Sequence, residues 1–294
     1  MISSHVQTSV AAFALCAALQ VVAPPPQRPM EPLRDAGQSV TGAYEGWYRN
    51  QDGTFTLLVG YMNRNVKQTL DIPIGPNNRI EPGGPDRGQP TYFLPRRQWG
   101  VFTITVPKDF GDRKLTWTLV ANGATTAIPM SLNPLWNIEP FRHTMGNTPP
   151  KLTFETGGPI HQGPPRGLAA SYAARTGEPL ALTVWATDDG LTSEGQPIGA
   201  GRGRPSTPLG PPGRLPLVTL TWSKFRGPGS VAFDKARPEV GADGMATTTA
   251  TFDAAGDFVL RLQANDASGE GGAGFQCCWT NAHVKVTVAV GSSK

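Results

Sequence analysis

The sequence predicts an all-β chain built as two β-sandwiches. Apolar residues alternate with period two in short runs such as "TFTLLVGY" and "HVKVTVAV", the pattern of strands with one buried face. No segment sustains a helical period. Gly (35) and Pro (29) make up about a fifth of the 294 residues, against an average near 12%. That is a composition of short strands and many turns.

The chain opens on "MISSHVQTSVAAFALCAALQVVAPPPQ", whose apolar run suits a signal-peptide core and is too short to cross a bilayer. Residues 1–23 are therefore read as a signal peptide, sending the mature chain to the periplasm or outside the cell. Cys16 raises a lipoprotein alternative, but Leu15 before it is bulkier than the small residue a lipobox carries. Residues 24–40 are proline-rich and read as an extended linker. No later stretch is long and apolar enough for a membrane span.

The first sandwich is expected over 41–146. Phe55, Leu57, Val59 and Tyr61 share one strand face. Phe102, Ile104 and Val106 share a second, and Leu115, Trp117 and Leu119 a third. "ANG" then turns the chain into "ATTAIP" as a hairpin. Between these strands runs a turn-rich excursion over 72–97. Loops of that length either bind something or pack on their own side chains. Its polar content (Asn77, Asn78, Arg79, Asp86, Arg87, Gln89) with Tyr92 and Trp99 marks it as the candidate partner surface.

Residues 147–167, rich in Pro and Gly, read as a second linker. Strands resume over 168–290 with "PLALTVWA", "LVTLTWS", "ATTTATF", "DFVLRLQA" and "HVKVTVAV". "GRGRPSTPLGPPGR" (201–214) is a polar insertion between two of them. Asp188, Asp189 and Gly190 form an acidic turn after one strand, Trp222 lies in the next, and Gly256, Phe258 and Leu260 lead into a later one. In these features the second half resembles PKD and related bacterial immunoglobulin-like domains. The resemblance implies an immunoglobulin-like sandwich acting as a spacer, adhesive unit or docking module, with no reaction attached. Through "GYMNRN" and "LDIPIGPNNRIEPGGPDRGQPT" the first half resembles exported bacterial proteins without an assigned activity.

Cys277 and Cys278 are adjacent. Neighbouring Cα atoms lie about 3.8 Å apart, below the roughly 4.4–6.8 Å of ordinary disulfides, so a bond between them needs a distorted turn. On a strand they would point to opposite faces, Cys278 to the core by count from the inward valines. A vicinal disulfide, ordinary thiols, and a redox or metal role all stay open. Thiolate zinc lacks the C-x2-4-C element it needs, and His283 is expected on the solvent face of the last strand. Asp188, Asp189, Asp266 and Glu270 are loop carboxylates of the kind calcium takes, though Asp before Gly is also a common turn former.

"GEGGAG" (269–274) satisfies a glycine fingerprint but no helix pattern follows it, so it is no phosphate site. No nucleophile elbow, P-loop or H-E-x-x-H occurs, and nothing points to an enzyme. The net charge of +4 is spread along the chain, which argues against a nucleic-acid partner. The reading is an exported, non-catalytic interaction or scaffold protein of the bacterial envelope with a protein partner and no cofactor. Two alternatives are a carbohydrate-binding module using exposed aromatics, and a redox or metal-carrying accessory protein using Cys277 and Cys278.

Overall fold

The computed structural model describes residues 34–142, 145–191, 217–266 and 278–291. The signal segment, Cys16, the 201–214 insertion, Glu270 and Cys277 lie outside them. The described residues are strands and turns, with one 3-10 turn at Pro134–Trp136.

In the first half, β1 (Val40–Arg49), β2 (Phe55–Asn63) and β6 (Arg96–Val106) form one sheet in the order β1-β2-β6. It faces β4 (Asn78–Glu81), β7 (Lys114–Ala121) and β8 (Ala124–Ser131), while β3 (Leu70–Asp71) pairs with β5 (Tyr92–Phe93). The alternation named the inward residues: Leu57, Val59, Tyr61, Phe102, Ile104, Leu115, Trp117 and Leu119 are all buried in one cluster. Asn122 and Gly123 take positive φ in the β7–β8 hairpin, as a tight two-residue turn requires.

Two features of this half depart from the sequence reading. Val40, placed in a linker, opens β1 at 1% exposure. Strand β1 escaped notice because Gly42, Gly46 and a register shift between Tyr44 and Gly46 interrupt its alternation. The 72–97 excursion is also not a free loop. It carries β4 and β5 and folds around the Asn78 side chain, whose Nδ2 donates to the Ile72 and Pro90 carbonyls at 2.9 and 2.8 Å.

In the second half, β10 (His161–Gln162), β9 (Lys151–Thr153), β12 (Leu180–Thr187), β15 (Met245–Phe252) and β14 (Val231–Phe233) make one sheet in that order. The other runs β11 (Ala170–Arg175), β17 (Trp279–Ala289), β16 (Gly256–Asp266), β13 (Val218–Arg226). β11 pairs parallel to β17 and the remaining neighbours pair antiparallel, the immunoglobulin-like arrangement of two facing sheets. Leu182, Val184, Leu220, Trp222, Ala250, Phe252, Phe258, Leu260, Val284 and Val286 fill the core. Residues 147–167, read as a linker, instead supply β9 and β10. Val290, counted as inward, lies beyond the end of β17 and is 74% exposed.

The described residues form one compact unit. Phe225, on β13 of the second half, is 3% exposed and belongs to the first half's core, with Val259 of β16 packed against it. The halves come close at Gly100 of β6, where a Cβ would lie 1.8 Å from the Trp279 ring and φ is +49°. Gly100→Ala should therefore cost about 2–4 kcal/mol in urea unfolding, combining left-handed strain with overpacking. Gly123→Ala, at φ +76° with nothing within 4 Å, should cost only about 1–2 kcal/mol. Equal losses would mean that the Trp279 contact carries no weight.

Candidate functional site

The outer face of the β16–β17 pair lies against β1 and β6, and charged side chains are buried where they meet. Arg261 on β16 is 3% exposed. Its Nε donates to Asn281 Oδ1 at 2.8 Å, Nη1 to Gln98 Oε1 at 3.0 Å, and Nη2 to Gln263 Oε1 at 2.8 Å. Asn281 Nδ2 continues to the Trp99 and Gly100 carbonyls at 3.1 and 3.0 Å. Glu45 on β1 accepts from Arg97 Nη2 at 2.8 Å and from the Gly100 amide at 2.9 Å. Gly60 leaves room for this carboxylate, since a Cβ there would lie 2.1 Å from Glu45 Oε1.

His283 shows how the sequence reading went astray. Period two placed it outward on β17, which is right, but that face packs against the first half and leaves His283 only partly exposed. Its Nε2 donates to the Val101 carbonyl at 3.0 Å, and its ring lies 4.2 Å from that of Phe225. Burial first, and then the Arg261 charge, push its pKa down to about 3. Burial pushes Glu45 up to about 7 against the opposing pull of Arg97, and lowers that of Arg261.

The predicted contact residues divide by burial. Asn78 and Gln89 are 0% exposed and spent on the loop's own fold. Asn78 Oδ1 accepts from Trp117 Nε1 at 3.0 Å, and Gln89 Nε2 donates to the Pro85 carbonyl at 2.7 Å. They present nothing to a partner, a correction to the reading of 72–97 as one surface. Asp86 accepts a two-pronged bond from Arg226 at 2.7 and 3.1 Å, so it braces the two halves. That bond also holds its carboxyl below the usual range. Tyr92 lies 4.8 Å beneath the Lys224 ammonium, which pairs with Asp71 at 3.2 Å. Arg79 pairs with Glu81, Arg87 Nη2 donates to the Pro82 carbonyl, and Asn77 is exposed. Trp99 carries the Arg97 guanidinium 3.8 Å above its ring.

Other candidates are also placed. Asp189 accepts from the Thr148 amide and hydroxyl and from the Leu191 amide. Asp188 accepts from the Gly190 amide, and burial pushes it up to about 7. Among the described residues no group of three His, Cys, Asp or Glu is arranged to hold a metal ion. Cys278 is fully buried, as counted, and disulfide-bonded, with the Asn147 amide 3.6 Å from its sulfur. Among the aromatics, Tyr48 and Phe93 are buried, while Trp136 remains 47% exposed.

Three openings among the described residues lie along the buried seam: one of about 250 Å³ beside Phe102, Phe225 and Val259, and two that flank the Arg261 network. The larger, about 1010 Å³, is a groove walled by β2 and β6 on one side and by residues 160–169 and 281–283 on the other. Arg49, Asp52, Thr54, Thr105, Phe141 and Arg166 set its character. The smaller, about 240 Å³, lies between β6 and the outer face of β13 and β16. Sequence reasoning missed both, because neither exists until the halves pack.

No protein-family model and no curated protein matches the chain. Among solved structures, it is similar to the D00-D0 domain of intimin at 12% identity, over 85% of this chain and all of that one, with a TM-score of 0.26. Adhesin InvE of Yersinia pseudotuberculosis is 12% identical over 85% of this chain and 58% of that one, with a TM-score of 0.24. A nucleoside hydrolase-related hypothetical protein from Saccharophagus degradans is 14% identical over 49% of this chain, with a TM-score of 0.27. The chain spans about a quarter of that last protein's length (26%).

Glu45, buried, and His283, partly buried, make opposite contributions to stability with pH. Glu45, raised from about 4.5 to about 7, binds its proton more tightly when folded. Its contribution is full below pH 4.5 and lost as pH rises through 7. His283, lowered from 6.5 to about 3, gives a contribution present above pH 6.5 and lost as pH falls through 3. The unfolding free energy of wild type minus that of Glu45→Gln should thus fall by about 3 kcal/mol between pH 4.5 and 7. The same difference for His283→Gln should rise from pH 3 to 6.5. A flat Glu45 difference would mean that this carboxyl is ionised across the range.

Proposed function

We propose that the chain is an exported, non-catalytic interaction protein of the bacterial envelope, whose fused sandwiches offer the seam groove to a protein partner. The groove carries this reading. Its volume of about 1010 Å³ is at the upper end of ordinary ligand sites, and such sites favour the junctions between domains. Its walls mix both signs of charge with threonine hydroxyls, a set suited to an extended polypeptide's amides and side chains. Phe141 is an aromatic anchor held edge-on by Tyr48 at 5.3 Å and capped by Arg166 at 4.7 Å. Walls fixed in advance by a bonded seam lower the ordering cost of binding.

Export is supported by the signal-like residues 1–23 and by the oxidised state of Cys278, since disulfides persist outside the reducing cytosol. We further propose that its partner is Cys277, giving a structural vicinal bond and leaving no thiolate for a metal or redox role.

A photo-crosslinking residue placed at Thr105, exposed in the groove, should capture one discrete polypeptide in the native envelope fraction. Arg166→Glu should abolish that capture, and a probe at Thr125 on exposed β8 should not reproduce it. Equal capture from both positions, or none, would remove the groove as the contact site. For the cysteines, tryptic peptide 262–285 isolated without reductant should weigh two hydrogens less than its reduced form, with no second peptide attached. A free thiol, or a bond to a peptide containing Cys16, would refute the vicinal pairing.

A further inference from the structure

We propose that β11 is the surface through which the chain pairs with a second copy of itself, edge to edge across a two-fold axis at Ala173. The surface is independent of the groove and its partner. β11 ends the sheet β11-β17-β16-β13 and pairs with β17 alone among the described residues. It runs as "ASYAAR", without Pro, Lys or a register shift. Just beyond it the Thr176 amide donates to the Ala289 carbonyl at 3.0 Å. Given the register Arg175↔Ala289, a parallel ladder then turns the backbone groups of Tyr172 and Ala174 toward β17. Those of Ser171, Ala173 and Arg175 point outward. Among the described residues only the Arg175 carbonyl of this outward set is taken, by the Glu178 amide at 3.2 Å.

Such an edge is a template for another strand, and folds usually blunt it with Pro, Lys, bulges, short length or a cover. The other sheet ends follow that rule. β3, β4, β5, β10 and β14 are short, with β10 two residues long and β14 three. β8 carries Pro129. β13 is bulged between Lys224 and Arg226, its Trp222 amide donates to the Ala236 carbonyl, and its Phe225 carbonyl accepts from the Thr91 amide. On β1 the Trp47 carbonyl accepts from the Ile138 amide at 2.9 Å. β6 is covered by the second half, whose Asn281 and His283 bond its Trp99, Gly100 and Val101 carbonyls. β11 has none of these protections.

The order of residues along β11 selects a second copy as the occupant. An antiparallel copy turned about Ala173 sets outward residues against outward residues: Ala173 against itself, and Ser171 against the copy's Arg175. The two Ala173 residues then exchange amide and carbonyl bonds, and each Arg175 amide reaches a Ser171 carbonyl. None of these bonds needs the occupied Arg175 carbonyl. The strand's one charge, Arg175, faces a serine and not its own kind, and the axis falls on a small side chain. On the inner face the copy's Tyr172 comes opposite Ala174. An opening of about 360 Å³ lies there, lined in part by Ala174, Pro179, Leu180 and Ala289. Tyr172 is itself only partly buried, so its ring is an anchor of the kind interfaces seat in such openings. An unrelated strand would gain the ladder bonds without this match.

The test is sedimentation equilibrium of the full mature chain from about 1 to about 300 µM. A dimer with a dissociation constant of about 10 µM should appear, the strength of an interface at the low end of specific sizes. Ala173→Lys and Ala173→Glu change an exposed side chain and set like charges face to face across the axis. Each should weaken the dimer about tenfold with an unchanged thermal midpoint. Mixed in equal amounts, the two variants should pair at least as tightly as wild type, because position 173 meets itself. Ala173→Cys should oxidise to a covalent dimer, since directly opposed residues of this kind lie about 5.5 Å apart. Thr125→Lys and Thr125→Cys, on exposed β8, should do neither. A chain monomeric throughout, a dimer indifferent to both Ala173 charges, a mixture that does not pair, or an Ala173→Cys chain that stays single would overturn the proposal.

Discussion

A guanidinium taken out of water is costly unless its donors find partners, with an effective penalty of several kcal/mol. Arg261 meets that condition using acceptors from both halves of the chain: Asn281 and Gln263 beside it on the same sheet, and Gln98 across the seam. Glu45 and Arg97, tied to each other and to the Gly100 amide, lie alongside. Sliding one sandwich over the other would take Gln98 from Arg261, and the Trp99 and Gly100 carbonyls from Asn281, so these bonds fix the register of the halves. Two glycines serve the same end. Gly60 leaves room for the Glu45 carboxylate, and Gly100 lets the backbone of β6 reach the Trp279 ring.

The openings inherit this rigidity. The groove and the small pocket are gaps left on either side of one bonded seam, and their walls are strands whose outward side chains the network already holds. Gln98 and Gln263 are bonded to Arg261 and line the pocket; Asn281 is bonded to Arg261 and lines the groove. A change at Arg261 would therefore be felt on both sides. Bracing further out points the same way, with Lys224 to Asp71 and Arg226 to Asp86. These tie β13 to β3 and to the 72–97 segment, which works as a strut between the halves.

Much of the fold was legible because period two records which residues share a face. Trp117, Phe102, Leu260 and Val286 were placed correctly on that signal alone. Alternation does not record what covers the other face. His283 and Arg261 have the sequence signature of solvent-facing positions, yet the first sandwich lies over them. The same limit hid Asn78 and Gln89, since polar residues in a turn-rich stretch resemble a surface whether they face water or satisfy a loop's own carbonyls. Strand β1 was lost for a local reason, its glycines and bulge breaking the pattern, and β11 because "ASYAAR" is too weakly apolar to register. The groove and pocket could not be read at all, being products of docking.

Phe225 carries the argument one step further. It sits where the register of β13 shifts between Lys224 and Arg226, and it completes a core whose other fully buried members lie on the first half. The Thr91 amide meanwhile donates to the Phe225 carbonyl at 3.2 Å. Losing β13 would open a cavity in the first core, at a cost of the order found for large buried side chains, about 3–5 kcal/mol. Losing the first half would expose Phe225 and leave Arg261 short of Gln98. Neither sandwich is whole without the other, so the unit that folds is the pair.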